Sequence, residues 1–347
     1  MLVPPGALTA ACAAASRHTL WSAATQPAGP VPGSGPPSTT EAKRVSDNGN
    51  GQIQQSTKDQ VLVPEEDRPR VPKAMTVATS DSGAGAGIQA DLKTFAAHGV
   101  YGTSTVVAIT AQSTKGVYAI AEVPDEVIVA QIDMMMEDIG ADAAKTGMLS
   151  SRLIVEVVAD RLNAWGVPTV VDPVMVAKSG DQLLQPNAVA AYKRHLLPTA
   201  LVVTPNIPEA EVLSGITITD EASLREAGRA IAALGPKWVL LKGGHRAGPP
   251  VDLLFNGTDF TEFEAERIPG YNTHGTGCTL SAAITANLTL GHNVPEAVEA
   301  SIAYLHGAMR AGYAIGGGHS PVNHFYRHPE MGPSAAQGTA SRRLEDK

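Results

Sequence analysis

AMTVATSDSGAGAGIQADLKTFAAHGVYGTSTVVAITA (74–111) decides the fold. It opens on a β-rich run, AMTVATS (74–80), and breaks at alternating glycines. A helical pattern follows, IQADLKTFAAHG (88–99), and the stretch closes on a second β-rich run, TSTVVAITA (103–111). A helix of that length between two short strands gives a crossover, so the two strands lie parallel in one sheet. The alternation continues outward. Further β-rich runs stand at 142–148, 168–174, 200–205 and 237–243, and helical patterns at 125–139, 151–166 and 220–235. Each helical pattern ends at a glycine or a polar turn, where a helix should stop. The chain then reads as two antiparallel strands, VDLLFN (251–256) and DFTEFEAERI (259–268), and two closing helices, 277–290 and 295–314. The expected fold is α/β: a doubly wound, mostly parallel sheet with helices on both faces.

Composition agrees. The 347 residues are 43% hydrophobic and only 4% aromatic, which suits aliphatic strands packed against alanine-rich helices. A formal charge of −8 argues against a nucleic-acid partner. No stretch reaches the roughly 18 apolar residues of a membrane span. Two distant cysteines, Cys12 and Cys278, exclude a disulfide scaffold and fit a reducing compartment. The expected domains are an N-terminal extension (1–72), one α/β domain (73–328) and a polar tail (329–347). The extension holds 10 of the 25 prolines and no lasting apolar periodicity, and is read as disordered. Its first 40 residues carry no acid and one Arg, Arg17. That leaves two readings equally open, a peptide for plastid or mitochondrial import or a plain extension, and for the protein as a whole a soluble, cytoplasmic location is expected.

In such sheets ligands bind beyond the carboxyl ends of the strands, and five motifs fall there. In NTHGTGCTLSAAI (272–284), Gly275, Thr276, Gly277 and Cys278 open a helix. Its uncapped amides and dipole form an anion hole suited to a phosphoryl group. The same field should lower the thiol pKa of Cys278, which could then act as a base. The plain alternative is a helix cap with a small buried Cys. In DSGAGAGIQADLKTF (81–95) the glycine spacing is wrong for a dinucleotide fingerprint, but Asp91 could bind a small polar ligand. The alternative is an exposed acid near a helix start. DPVMVAKSGD (172–181) offers Asp172 and Lys178. TPNIPEAEVL (204–213) places Asn206 and Glu209 three apart, a pair able to hold hydrated Mg²⁺ or simply to begin a helix. KGGH (242–245) presents Lys242 and Gly243 to phosphate charge, or to solvent. Together the set describes phosphoryl transfer from a nucleotide. Neither a Walker motif nor the protein-kinase elements are present.

Eight segments in order carry a resemblance: AGIQADLKTF (86–95), AITAQSTKGV (108–117), KTGML (145–149), DPVMVAKSGD (172–181), TPNIPEA (204–210), KGGH (242–245), HGTGCTLSAA (274–283) and GHSPVNHF (318–325). From 74 to 326 the chain closely resembles the hydroxymethylpyrimidine/phosphomethylpyrimidine kinases of the ribokinase-like superfamily. The resemblance implies ATP and Mg²⁺ as cofactors, a homodimer, and two successive phosphorylations in thiamin biosynthesis. ATP first phosphorylates the hydroxymethyl group of 4-amino-5-hydroxymethyl-2-methylpyrimidine, then the resulting monophosphate. It assigns pyrimidine contacts to Asp91, Gln112, Met148 and Val174, the catalytic position to Cys278, magnesium and phosphate contacts to Asn206 and Glu209, and ATP contacts to Lys178 and Lys242. The sequence departs from the usual family pattern at Thr79 and Ala84, where glycines are common, and at Ser113 and Ser320. Two rival readings follow from the same residues: a pyridoxal kinase on this scaffold, and a non-catalytic pyrimidine- or nucleotide-binding protein.

Overall fold

The computed structural model describes residues 69–175, 184–185, 187–243, 251–264, 266, 268 and 273–331. Lys178 therefore lies outside the described residues, as do the extension before residue 69 and the tail beyond 331. All described residues fall in one compact unit, Glu65–Lys347.

The β-branched runs become nine strands: β1 (Lys73–Asp81), β2 (Tyr101–Ser113), β3 (Gly116–Glu122), β4 (Ala143–Thr146), β5 (Thr169–Val171), β6 (Val202–Val203), β7 (Trp238–Leu241), β8 (Val251–Phe255) and β9 (Phe260–Glu264). They form one sheet in the order β3-β2-β1-β4-β5-β6-β7-β8-β9. The six strands from β2 to β7 in that order are parallel, while β3, β8 and β9 make antiparallel pairs at the edges. The antiparallel edge at β8 and β9 matches the sequence reading. That reading passed over β3, whose residues are half-buried or exposed and show no buried alternate face. The helices are α1 (Gly87–Ala97), α2 (Asp125–Asp138), α3 (Arg152–Trp165), α4 (Ala188–Ala191), α5 (Ile207–Ser214), α6 (Glu221–Ala232), α7 (Thr276–Thr289) and α8 (Val294–Arg310).

Alternation along each strand builds the two faces of the core. Val170, Val202, Leu240 and Leu254 pack with Leu280, Ile284 and Val298 of α7 and α8. Their neighbours Val171, Val203, Leu241 and Leu253 point the other way, into a cluster with Ile128, Val155, Leu213 and Ile231 of α2, α3, α5 and α6. The central strands are thus buried on both faces, which is why they read as unbroken apolar runs. The order reverses between β1 and β4, with α1 packed beside α7 on one face and α2 and α3 on the other. In sheets of this kind such a switch point is where ligands bind, beyond the carboxyl ends of the strands. Among the described residues no helix is long and apolar enough to cross a membrane.

Candidate active site

The N-terminus of α7 meets residues that follow three strands: Gly85 after β1, Asp172 after β5 and Lys242 after β7. Gly275 has φ +76°, a left-handed turn open to glycine, and a Cβ there would lie 1.9 Å from the Gly85 carbonyl oxygen. The two glycine loops, 83–87 and 275–277, therefore interlock backbone to backbone. The first α-helical bond of α7 runs from the Thr279 N–H to the Gly275 carbonyl. The amides of Thr276, Gly277 and Cys278 precede it and have no acceptor within the helix.

Under this turn lie the charged groups. The Lys242 ammonium stands 3.2 Å from Asp172 Oδ1 and 3.9 Å from Glu209 Oε2. A Cβ on Gly277 would meet Asp172 Oδ2 at 3.4 Å and Lys242 Nζ at 3.6 Å, so the absent side chain brings both against the helix start. Burial pulls Lys242 down, but Asp172 and Glu209 outweigh it and hold the ammonium above its usual range. Burial pushes the Glu209 carboxyl up to about 7; Lys242 opposes that rise and Asp172 adds to it. Asn206 and Glu209 also form the helix start that the N-x-x-E spacing allowed. Asn206 Oδ1 accepts from the Glu209 N–H at 3.0 Å, and Glu209 Oε2 accepts from the Asn206 N–H at 2.9 Å.

Asp91 lies elsewhere than the sequence suggested. Not an exposed acid, it is fully buried, with its carboxylate 2.9 and 3.0 Å from the Lys145 ammonium and 2.7 Å from the Thr76 hydroxyl. It stands within the first turns of α1, and its side chain is turned inward against β1 and β4. Burial alone would discharge Lys145, but the neighbouring anionic groups, Asp91 first, hold it above its usual range; burial in turn lifts the Asp91 carboxyl above its own, against the pull of Lys145 and Thr76. Cys278 is corrected in the opposite sense from expectation. Desolvation pushes its thiol up to about 12. Lys145 and an N–H from Gly87 pull it down, but they do not offset burial and the carboxylates of Asp91 and Asp172. Helix-dipole reasoning from sequence could not see the two buried acids. Gly243 packs against the start of β8. Its N–H donates to Asp252 Oδ1 at 2.7 Å, and a Cβ would strike the Val251 carbonyl, so this glycine serves the packing of β8.

Gln112 stands at the end of β2. Its backbone N–H donates to Ser82 Oγ, and its carbonyl accepts from the same hydroxyl. Met148 is buried, and Val174 is half-buried in the loop after β5. Of the four positions where the sequence departs from the resemblance, three side chains are hydrogen-bonded and the fourth, Ala84, is held in a left-handed backbone. The Thr79 hydroxyl donates to the Met148 carbonyl at 3.0 Å, beside a register shift in the β1–β2 pairing. Ala84 takes φ +57°. Ser113 Oγ accepts from the Lys115 N–H, and Ser320 Oγ from the Ile315 N–H.

Sequence reasoning missed four residues: Asp81, Lys145, Asp172 as a partner of Lys242, and His274. Asp81 accepts N–H bonds from Gly83, Gly85 and Ala86 and contacts His274 Nε2 at 3.0 Å. Burial would raise its pKa, but His274 and those amides hold it below the usual range. A lone charged residue inside an apolar strand, as in DAAKTGM, was the one available signal, and it pointed to Lys145.

A doubly wound sheet with an uncapped helix start, a buried Lys–carboxylate cluster and interlocked glycine turns at one edge is the architecture of a ribokinase-like small-molecule kinase. The phosphomethylpyrimidine kinase family model matches residues 81–323. The chain is 49% identical over 253 residues to a hydroxymethylpyrimidine/phosphomethylpyrimidine kinase of Streptomyces coelicolor, covering 73% of this chain and 94% of that one. It is 52% identical over 258 residues to the Rhizobium meliloti kinase of the same name, covering 73% and 97%. A crystal structure of phosphomethylpyrimidine kinase from Clostridium difficile superposes with a TM-score of 0.63 at 44% identity, over 69% of this chain and 100% of that one. The Staphylococcus aureus pyridoxal kinase in complex with AMP-PCP and pyridoxal gives 0.69 at 33%, over 74% and 95%. The chain belongs to the phosphomethylpyrimidine kinase family.

Proposed function

We propose that this chain phosphorylates 4-amino-5-hydroxymethyl-2-methylpyrimidine with ATP and then phosphorylates the monophosphate to the diphosphate, as a step of thiamin diphosphate biosynthesis. The supporting observation is the convergence of Lys242, Asp172 and Glu209 on the first turn of α7. Phosphoryl transfer passes through a loose transition state, so positioning and charge stabilisation carry most of the catalysis. The amides of Thr276, Gly277 and Cys278 receive the migrating phosphoryl group, and Lys242 neutralises phosphate charge beside them, with Lys178 assigned to the same task. Gln112 binds the pyrimidine edge, while Met148 and Val174 cover its apolar faces. Asp91 is reassigned to holding Lys145 beneath the site. In a loose transition state the alcohol proton leaves late, and the thiolate form of Cys278, a small fraction near neutrality because burial lifts the thiol, is the species that accepts it.

Magnesium fits the charge balance: two buried carboxylates, Asp172 and Glu209, face one ammonium. Glu209, with Asn206, would hold it alongside phosphate oxygens and water, where it would offset charge between the phosphates. A coupled ADP-release assay with the purified full-length chain tests the reading, run in parallel with the hydroxymethylpyrimidine, its monophosphate and pyridoxal. Preference for pyridoxal, or binding without ADP release, rejects it.

The reading includes a homodimer formed through the edge strand β3, where Tyr118 is 93% exposed and Ile120 39%. Exposed apolar side chains on an edge strand suit a second copy. Tyr118→Glu should shift the sedimenting species from dimer to monomer; a wild-type monomer at micromolar concentration rejects the assignment. We also propose a cytoplasmic location, with the 1–72 extension uncleaved and 73–328 as the catalytic domain. A fluorescent fusion entering plastids or mitochondria would overturn it.

A further inference from the structure

His274 joins the two halves of the site. Its Nε2 lies 3.0 Å from Asp81 Oδ2, the acceptor its N–H can serve, and 3.5 Å from the Gln112 amide nitrogen, itself a donor, which therefore packs against the ring without a second hydrogen bond. Its ring fills the space left by Gly85, where a Cβ would fall 2.2 Å from His274 Cδ2. Its backbone N–H donates to the Ser320 carbonyl, and the next residue is Gly275, the start of the phosphoryl-binding turn. Asp81 in turn gathers the amides of Gly83, Gly85 and Ala86, and Ser82 grips the Gln112 backbone through both its N–H and its carbonyl. One imidazole, 12% exposed, therefore stands between the residue that holds the pyrimidine and the amides that receive the phosphoryl group.

We propose that His274 is a positioning residue that sets the distance between the bound pyrimidine and the α7 amides, and that it governs the first phosphorylation more than the second. This rests on the function proposed above. The two steps differ in nucleophile. A hydroxymethyl group is neutral, so its placement depends on how Gln112 holds the ring relative to the turn. A misplacement of about 1 Å costs on the order of 100-fold in rate. The phosphate nucleophile of the second step is an anion, drawn to the same amides and to Lys242 by charge. It finds its place with less help from the ring.

The test compares wild type, His274→Ala and His274→Gln, with the hydroxymethylpyrimidine and its monophosphate supplied separately and thermal melts confirming folding. His274→Ala should lower kcat on the alcohol about 100-fold and on the monophosphate less than about fivefold, with KM for ATP within about twofold. His274→Gln, whose amide N–H reaches toward Asp81, should recover most of the alcohol step. Equal losses in both steps, or no loss in either, overturn the inference. A wild-type enzyme inactive on both substrates overturns the proposed function itself, and the same plate reads that outcome.

Discussion

Removing one member of the Lys145–Asp91 pair should destabilise the protein far more than removing both. The two side chains are fully buried and joined at 2.9 Å. Lys145→Met leaves the Asp91 carboxylate without its cation, so at pH 7 the acid must take up a proton. Shifting a carboxyl from about 3.9 to 7 is about three pKa units, or about 4 kcal/mol. Asp91→Asn leaves a buried ammonium that must shed its proton, at about 4–5 kcal/mol. Both figures match the usual range for breaking a buried pair. The double variant holds no charge, and the amide that replaces the Asp91 carboxylate can still accept from Thr76, so it should lie within about 2 kcal/mol of wild type. For a domain of this size, 1 kcal/mol corresponds to about 2–4 °C in Tm. Thermal and denaturant unfolding of the four proteins gives the cycle. Additive losses in the double variant would refute the argument. The same proteins decide the role of Asp91: a double variant that folds well should keep its KM for the pyrimidine within about threefold, and a large rise would return Asp91 to the ligand.

Three further outcomes are expected. Cys278→Ala should keep pyrimidine binding and lose most turnover; because a thiol at about 12 gains about tenfold in thiolate per pH unit, wild-type turnover should climb from pH 7 to 9 while the variant stays flat, and equal turnover rejects the sulfur as base. Glu209 has a folded pKa of about 7 against an ordinary 4.5, so its contribution to stability is present below pH 4.5 and lost as pH rises through 7. In metal-free buffer Glu209→Gln, which keeps the helix cap, should therefore match wild type at pH 4.5 and exceed it by up to about 3 kcal/mol at pH 8; an offset independent of pH would contradict the assignment. Ala84→Gly relieves a left-handed alanine and, after the added freedom of the unfolded chain, should raise Tm by about 1–2 °C, whereas a fall of several degrees would show that the Cβ is needed.

The sequence by itself determined the layered architecture. Val170-Val171 and Val202-Val203 each send one side chain to either face, and a strand buried on both sides reads as an apolar run whatever its partners. Gly275-Thr276-Gly277 was equally legible, because a helix start that needs a left-handed residue depends on local backbone geometry alone. What lay beyond reach was charge placement across the sheet. Asp91 and Lys145 are 54 residues apart in the chain and 2.9 Å apart in space, so only the β1–β4 neighbourhood reveals that they neutralise each other. The raised thiol of Cys278 has the same origin, since desolvation and two acids from distant parts of the chain outweigh the local helix field. His274 and Asp81 sit 193 residues apart, and their contact exists only because two glycine loops meet at one end of the sheet. Periodicity is local and survives in the sequence. Electrostatics depends on through-space distance and burial, and these the tertiary structure alone decides.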